Sequence, residues 1–370
     1  MSKTESIGHR EALTLLIIML TGKIFLSFPR NMVLLGDGAA WIIVLLAGIY
    51  SLVAYYFIYA LLKRYPSFNI IEISRKVTGN IFGIIFGVVI FLFFLVITSM
   101  YLRQFSESYL LAILPRTPIS IITIFFLCLL SYGSLLGIET LTRVAWLYGP
   151  YLLAALVIIL IFSLPQASFH FLTPVLGPGP IPLLLNSIIH ISVFSEILLL
   201  SIFAPMIHQQ EKVFRVGLYS LLVATLINTG ITALATAVFN YAATKKLVFP
   251  IFQLTRLISL TEFVQRVEAG FVFLCFFWAG IQLGGLFYGT LASFAQTFKI
   301  KNYRPLIPAM GILVFALSII PTSMTQAVDL NSYSTHNFLI NSYYALVAFG
   351  IPFLLWLIST LKKKFGGSYE

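Results

Sequence analysis

Apolar residues in this chain fall into long, nearly unbroken runs separated by short polar or basic stretches. Ten such runs can be marked, at residues 11–34, 39–62, 81–112, 118–138, 144–164, 183–207, 214–241, 265–296, 305–321 and 338–361. Most are about 20 residues or longer, which is what a helix needs to cross a hydrocarbon layer. Alternating patterns of the kind that mark half-buried strands are not the organising feature. The pattern predicts an all-α polytopic membrane protein with about ten transmembrane helices, a single membrane domain over residues 1–370.

The polar stretches divide and orient the runs. Residues 165–182, "PQASFHFLTPVLGPGPIP", are rich in Pro and Gly and carry no Lys, Arg, Asp or Glu. They are expected to lie along the outer surface and to join two five-helix halves, 11–164 and 183–361. Residues 242–264 mix apolar and charged positions, and short helices over an outer opening are expected there, or a simple interfacial segment. Most Lys and Arg fall in one set of connections, including Lys63–Arg64, Arg75–Lys76, Lys299–Lys301–Arg304 and Lys362–Lys364, and fewer in the other set. By the positive-inside rule both termini are cytoplasmic.

Composition strengthens this picture. The 370 residues are 59% hydrophobic and 9% charged, whereas soluble domains carry roughly 25% charged residues. The net charge of +11 would suggest nucleic acid in a soluble protein, but clustered between apolar runs it reads as an orientation signal. Cys128 and Cys275 lie within apolar runs and read as free thiols. The N-terminal run has no A-x-A cleavage signature, and it is read as an uncleaved span.

Two spans are anomalous at their middles, and they are the first of each half. Span 1 contains "TGK" at 21–23 and Pro29, and span 6 contains Ser195–Glu196, with Pro205 near its end. Interruptions at corresponding positions of two halves point to a transporter-type site between broken helices 1 and 6. Lys23 lies 13 residues past Arg10, roughly 20 Å along a helix. At that depth an unpaired ammonium costs about 3 kcal/mol or more. It therefore needs a partner, a wet cavity or the loss of its proton. Glu196, at similar depth on span 6, is the expected partner. Such a pair would be either part of a ligand site or a tether between the two helices.

Span 3 carries Arg103 and Glu107, four residues apart on one face, expected as an outer gate or an anchoring pair. The five histidines do not cluster in sequence, and no metal or cofactor is expected. No nucleophile–base constellation, nucleotide-binding loop or zinc motif is present, which argues against an enzyme. The glycines of "GNIFGIIFG" (79–87) and "AGIQLGG" (279–285) suit close helix packing.

Four segments resemble a known family: "FPIFQLTRLISLTEFVQRVEAGFV" (249–272), "KNYRPLIP" (301–308), "LRQFSESYLLAILPRTPI" (102–119) and "FSEILLL" (194–200). The chain resembles the spore germination permeases, the B subunits of nutrient germinant receptors in endospore-forming bacteria, within the amino acid–polyamine–organocation superfamily. The resemblance runs almost end to end. It implies ten spans in a five-plus-five inverted repeat with broken helices 1 and 6, in the inner membrane of the spore, and it implies A-type and lipoprotein C-type partner subunits. It carries over Gly22, the Ser195–Glu196 region, and the acidic positions Glu107 and Glu268. The family shows Phe-Gly-Glu where this chain has Phe194-Ser195-Glu196, which makes the break in span 6 less secure. Lys23 rests on physics alone, since many members have a small residue there.

Two function classes follow. In the first, the protein binds a small germinant, an amino acid being the expected class, and signals to its partners to trigger germination. In the second, it is a proton-coupled secondary transporter of amino acids. Either uses one site, expected at Thr21, Gly22, Lys23, Met100, Gln104, Phe194, Ser195 and Glu196, with Arg103, Glu107 and Glu268 as gate or ion-pair residues. The ligand ammonium is expected near Glu196 and the span 6 carbonyls. Its carboxylate is expected on the backbone N–H groups of residues 21–23.

Overall fold

The computed structural model describes residues 6–257, 267–331, 333–335 and 337–364, with the side chains of 267–269 and 364 left out. Among the described residues the protein is helical throughout, with a single isolated backbone bridge, between Ile7 and Ile207. The helices are α1 (His9–Thr21), α2 (Phe28–Gly36), α3 (Ala40–Arg64), α4 (Ile70–Thr78), α5 (Asn80–Ala112), α6 (Ile119–Leu136), α7 (Ile138–Ser163), α8 (Pro180–Ile189), α9 (Leu198–Phe203), α10 (Val213–Phe239), α11 (Tyr241–Thr244), α12 (Pro250–Arg256), α13 (Val267–Thr297), α14 (Ile307–Ile319), α15 (Met324–Asp329), α16 (Phe338–Ala345) and α17 (Ile351–Lys364). Eight helical stretches are long and apolar enough to cross a membrane, and Arg304–Ile319 is a shorter apolar helix. The protein is an integral multi-pass membrane protein. The first expected span does not stand among the eight because it divides into α1 and α2.

Several boundaries differ from the sequence expectation, for local reasons. The expected loop at 138–144 is helical, because the turn between α6 and α7 is the single residue Gly137, at φ 94°. That backbone region is open to glycine and strained for residues with a Cβ. The short helix α4 stands between spans 2 and 3 with a capping box: Asn69 Oδ1 accepts the amides of Ile71 and Glu72, and Glu72 accepts the amide of Asn69. Span 10 carries a π-turn, Leu346–Gly350, just before Pro352. Proline has no N–H with which to continue the α ladder, and the wider turn absorbs the misfit.

Both ends of the described chain lie on one face. Ile7 exchanges backbone hydrogen bonds with Met206 and His208, and Lys362 Nζ donates to the Val77 carbonyl. Arg64 donates to Ser359 and Thr360, and Arg75 to the Thr297 carbonyl. On the opposite face, the 165–182 connection runs over the α2–α3 turn and the end of α10, with Ser168 N–H donating to the Ala237 carbonyl at 2.8 Å. The expected short helices near 242–264 are present as α11 and α12, the latter packed against residues 22–25 and α13. Residues 258–264 of that segment lie outside the described residues.

The packing has a paired character. α1 packs on α10 and α7, while the interrupted segment 190–197 packs on α3 and α16. The helices α3 and α10 pack together, as do α5 and α13. The two interrupted helices therefore lie near the centre, each in contact with helices from both sides of the 165–182 connection.

Candidate functional site: two broken helices joined by a buried ion pair

The first break begins where α1 ends. Thr21 Oγ1 donates back to the Ile17 carbonyl at 2.6 Å, and Gly22 N–H closes the last turn on Ile18. Side chains from other helices also donate to this end: Trp278 Nε1 shares the Ile18 carbonyl at 2.8 Å and Asn228 Nδ2 donates to Leu20 at 3.1 Å. A 3-10 turn, Gly22–Phe25, follows, and then extended backbone at Leu26 before α2. Pro29, in the first turn of α2, has no N–H to donate back to Phe25, which weakens helical continuity here. Gly22 is required by proximity. A Cβ there would sit 1.9 Å from Gln282 Oε1 and 3.1 Å from Trp278 Cδ1.

The second break is a 3-10 segment, His190–Ile197, with non-helical backbone at Phe194 (φ −105°, ψ 15°). It forms with Ser195 in place of the glycine that the resemblance led us to expect. His190, its first residue, anchors it through ring contacts to the carbonyls of Asn186 (2.8 Å) and Ser334 (3.1 Å). Asn341 donates to the same Ser334 carbonyl at 2.6 Å.

Lys23 joins the two breaks. Its Nζ donates to both Glu196 carboxylate oxygens at 2.9 Å and to the Val193 carbonyl of the same segment. Both charged side chains are 0% exposed. Tyr101 of α5 donates to Glu196 Oε1 at 2.8 Å. The Tyr101 ring lies 6.1 Å from that of Tyr333, whose hydroxyl donates to Gln104 Oε1. Gln104 in turn donates to the Ala327 carbonyl at 3.2 Å. Phe28 packs edge-on to Tyr333 at 5.7 Å. Phe25 packs on Phe271 and Trp278 at 5.5 and 5.0 Å.

The structure thus brings together Thr21, Gly22, Lys23, Phe194, Ser195 and Glu196. Gln104 joins through Tyr333, and Met100 is buried one helical turn before it on the same face. Arg103 and Glu107 pair at 3.1 Å, but Arg103 is two residues, or about 200°, around the helix from Tyr101. Their pair faces away from the Lys23–Glu196 pair. The side chain of Glu268 lies outside the described residues.

The structure bears on two chemical expectations. The ammonium position at Glu196 is already filled by Lys23. Residues 21–23 form the carbonyl end of α1, with the Gly22 amide already bonded, so this end favours a cation over a carboxylate. Sequence reasoning also missed Tyr101, Val193, Gln282, Trp278 and Tyr333. Only Tyr101 had a signal, three residues before Gln104 on the same helix face.

Two cavities flank this centre unequally. On the face that carries the chain ends, one of about 730 Å³ is lined by Arg75, Lys76, Lys299, Lys301 and Glu72, and it reaches Ile202 and Pro205 of span 6. On the opposite side, a cavity of about 30 Å³ lies between Phe25, Tyr109, Phe252, Phe271 and Cys275.

Comparison with known proteins places the chain. A family model described as "Spore germination protein" matches residues 6–327. The chain is similar to spore germination protein KB of Bacillus subtilis (strain 168), 27% identical over 371 residues, covering 97% of this chain and 95% of the relative. It is similar to spore germination protein B2 of the same organism, 23% identical with 99% of each chain covered. Spore germination protein A2 of that organism is 26% identical, with 88% of this chain and 87% of the relative covered. With the family model matching nearly the whole membrane domain, this chain belongs to the spore germination protein family.

Proposed function

We propose that this protein is the membrane subunit of a nutrient germinant receptor: it binds a small germinant, an amino acid, between broken helices 1 and 6, and it signals to partner subunits to trigger germination. Family membership supports the germination role. The observation that carries the site is the fully buried Lys23–Glu196 pair, which ties the middles of the two interrupted helices together. The partners in this reading are the A-type and lipoprotein C-type subunits. The protein lies in the inner membrane of the spore with both termini cytoplasmic, in keeping with the basic residues around the larger cavity. The halves 11–164 and 183–361 are related as inverted repeats, a reading supported by the paired packing of α1 and segment 190–197. Ligand binding shifts the two broken helices against the rest, by no more than its differential affinity for the two arrangements.

The unequal cavities favour a second reading, a proton-coupled secondary transporter of amino acids caught with its outer side closed. One experiment separates the two. Spores carrying Glu196→Gln, with the subunit assembled at normal level, should lose the nutrient response. Liposomes containing the isolated wild-type protein should accumulate no labelled amino acid under a proton gradient. A normal response in the variant overturns the site, and accumulation in liposomes favours the transporter.

A further inference from the structure

A primary ammonium has three N–H donors, and Lys23 places all of them on one element, span 6: both Glu196 oxygens and the Val193 carbonyl. Any primary ammonium could satisfy that acceptor set, whether tethered to the chain or brought by a ligand. Among the described residues, two buried neutral side chains at or against the chain neighbours of Lys23 and Glu196 have no hydrogen-bond partner. Gln282, unpaired at both Oε1 and Nε2, lies against Gly22, next to Lys23. Ser195, unpaired at Oγ, adjoins Glu196. Both residues are 0% exposed. Buried polar groups of this kind are uncommon and call for a partner. The charges are saturated, and their neutral neighbours are not.

We propose that the Lys23–Glu196 pair is a clasp that an α-amino acid zwitterion splits. The ligand ammonium takes the place of Lys23 on Glu196 and the Val193 carbonyl, and the ligand carboxylate takes the place of Glu196 on Lys23. One ion pair becomes two, no proton moves and no buried charge is left alone. Gln282 and Ser195 flank the point of insertion and offer hydrogen bonds to the incoming molecule. This rests on the amino-acid site between helices 1 and 6 and deepens it, because it makes both charges of the ligand obligatory. An amine alone would strand Lys23, and a carboxylate alone would strand Glu196; a stranded buried charge is strongly unfavourable. Insertion also moves the helices. The 2.9 Å contact opens to roughly 7 Å, two hydrogen-bonded contacts plus the ligand between them. The Ile7 bridge to Met206 and His208 ties the ends of spans 1 and 6 on the face of the chain ends. The opening therefore falls on the other side, on α2 and the loop that carries Tyr333.

The test titrates the purified full-length protein by calorimetry with the twenty L-amino acids. The best binder is then compared with its methyl ester, which lacks the carboxylate, and its N-acetyl derivative, which lacks the ammonium. The control is the double variant Lys23→Met/Glu196→Gln, which removes both charges and leaves none stranded, its folding checked by a cooperative melt and a monodisperse elution. The clasp requires that one amino acid binds wild type, that each derivative binds about 100-fold more weakly or worse, and that the folded double variant does not bind. If the derivatives bind as tightly as the amino acid while the double variant is blind, the clasp is overturned and the site between the helices stands. If the folded double variant binds with wild-type affinity, or folded wild type binds no amino acid, the underlying site is overturned with it.

Discussion

The two broken helices at the centre of this protein break for different reasons. Span 1 carries its own causes: Pro29 has no N–H with which to continue a helix, and Gly22 leaves room for Gln282 and Trp278. Span 6 has neither glycine nor proline between Pro182 and Pro205. Its eight-residue 3-10 segment is held from outside, by Lys23 on Val193 and Glu196, by Tyr101 on Glu196, and by Ser334 on His190. The Lys23 and Tyr101 partners are 173 and 95 residues away from Glu196 in sequence. The first break is local and the second is conditional on the first. A site built this way is poised to change, because whatever draws Lys23 off span 6 also removes a support of its irregular backbone.

That asymmetry can be tested, beginning with Lys23 itself. Lys23→Met leaves Glu196 buried and uncompensated, and it should destabilise the protein by about 3–5 kcal/mol, read as a lowered midpoint in detergent melts. It should also change amide exchange in residues 190–197, and unchanged exchange there would show that span 6 breaks on its own account. Tyr101→Phe removes one charge-assisted donor from Glu196 and should cost about 1.5–3 kcal/mol, with exchange in span 6 affected more than in span 1. Gly22→Ala forces the Gln282 amide to turn away and should cost about 1–2 kcal/mol, leaving exchange in 190–197 near wild type. Ser195→Gly, which restores the residue type expected from the family, should stay within about 1 kcal/mol of wild type, because tertiary contacts already hold the break. Arg103→Gln should change stability by less than about 1 kcal/mol, since its pair with Glu107 lies within one helix and keeps some solvent exposure, 9% and 16%. A large loss there would mean that this pair, too, ties elements together.

Much of the site was legible because lipid penalises exceptions. In a run as apolar as 11–34, Lys23 needed a partner, a wet cavity or the loss of its proton, and Glu196 was the acid at matching depth. The same logic says nothing of Tyr101, Tyr333, Trp278 or Gln282. Aromatic and amide side chains are common in such chains, and periodicity gives a helix face without naming what that face meets. The loop after α15 illustrates the limit. Asn331, Tyr333 and Ser334 are each 0% exposed, yet in sequence they form part of an ordinary polar connection. The α1 end is a related case: a helix that runs into "TGK" arrives carbonyl-first by chain order, and the structure adds that the Gly22 amide is already bonded.

The sequence by itself determined the membrane class, the spans, the two anomalous helices and the two charges at matching depth. A hydrocarbon surround tolerates few alternatives to long apolar helices, and it leaves a deep charge little choice of partner. Only the tertiary structure decided that Lys23 already occupies the ammonium position at Glu196, that span 6 breaks without glycine, and that Gln282 presses on Gly22. These features depend on how side chains from opposite halves meet at distances of a few ångströms, and the order of residues along one helix does not contain that information.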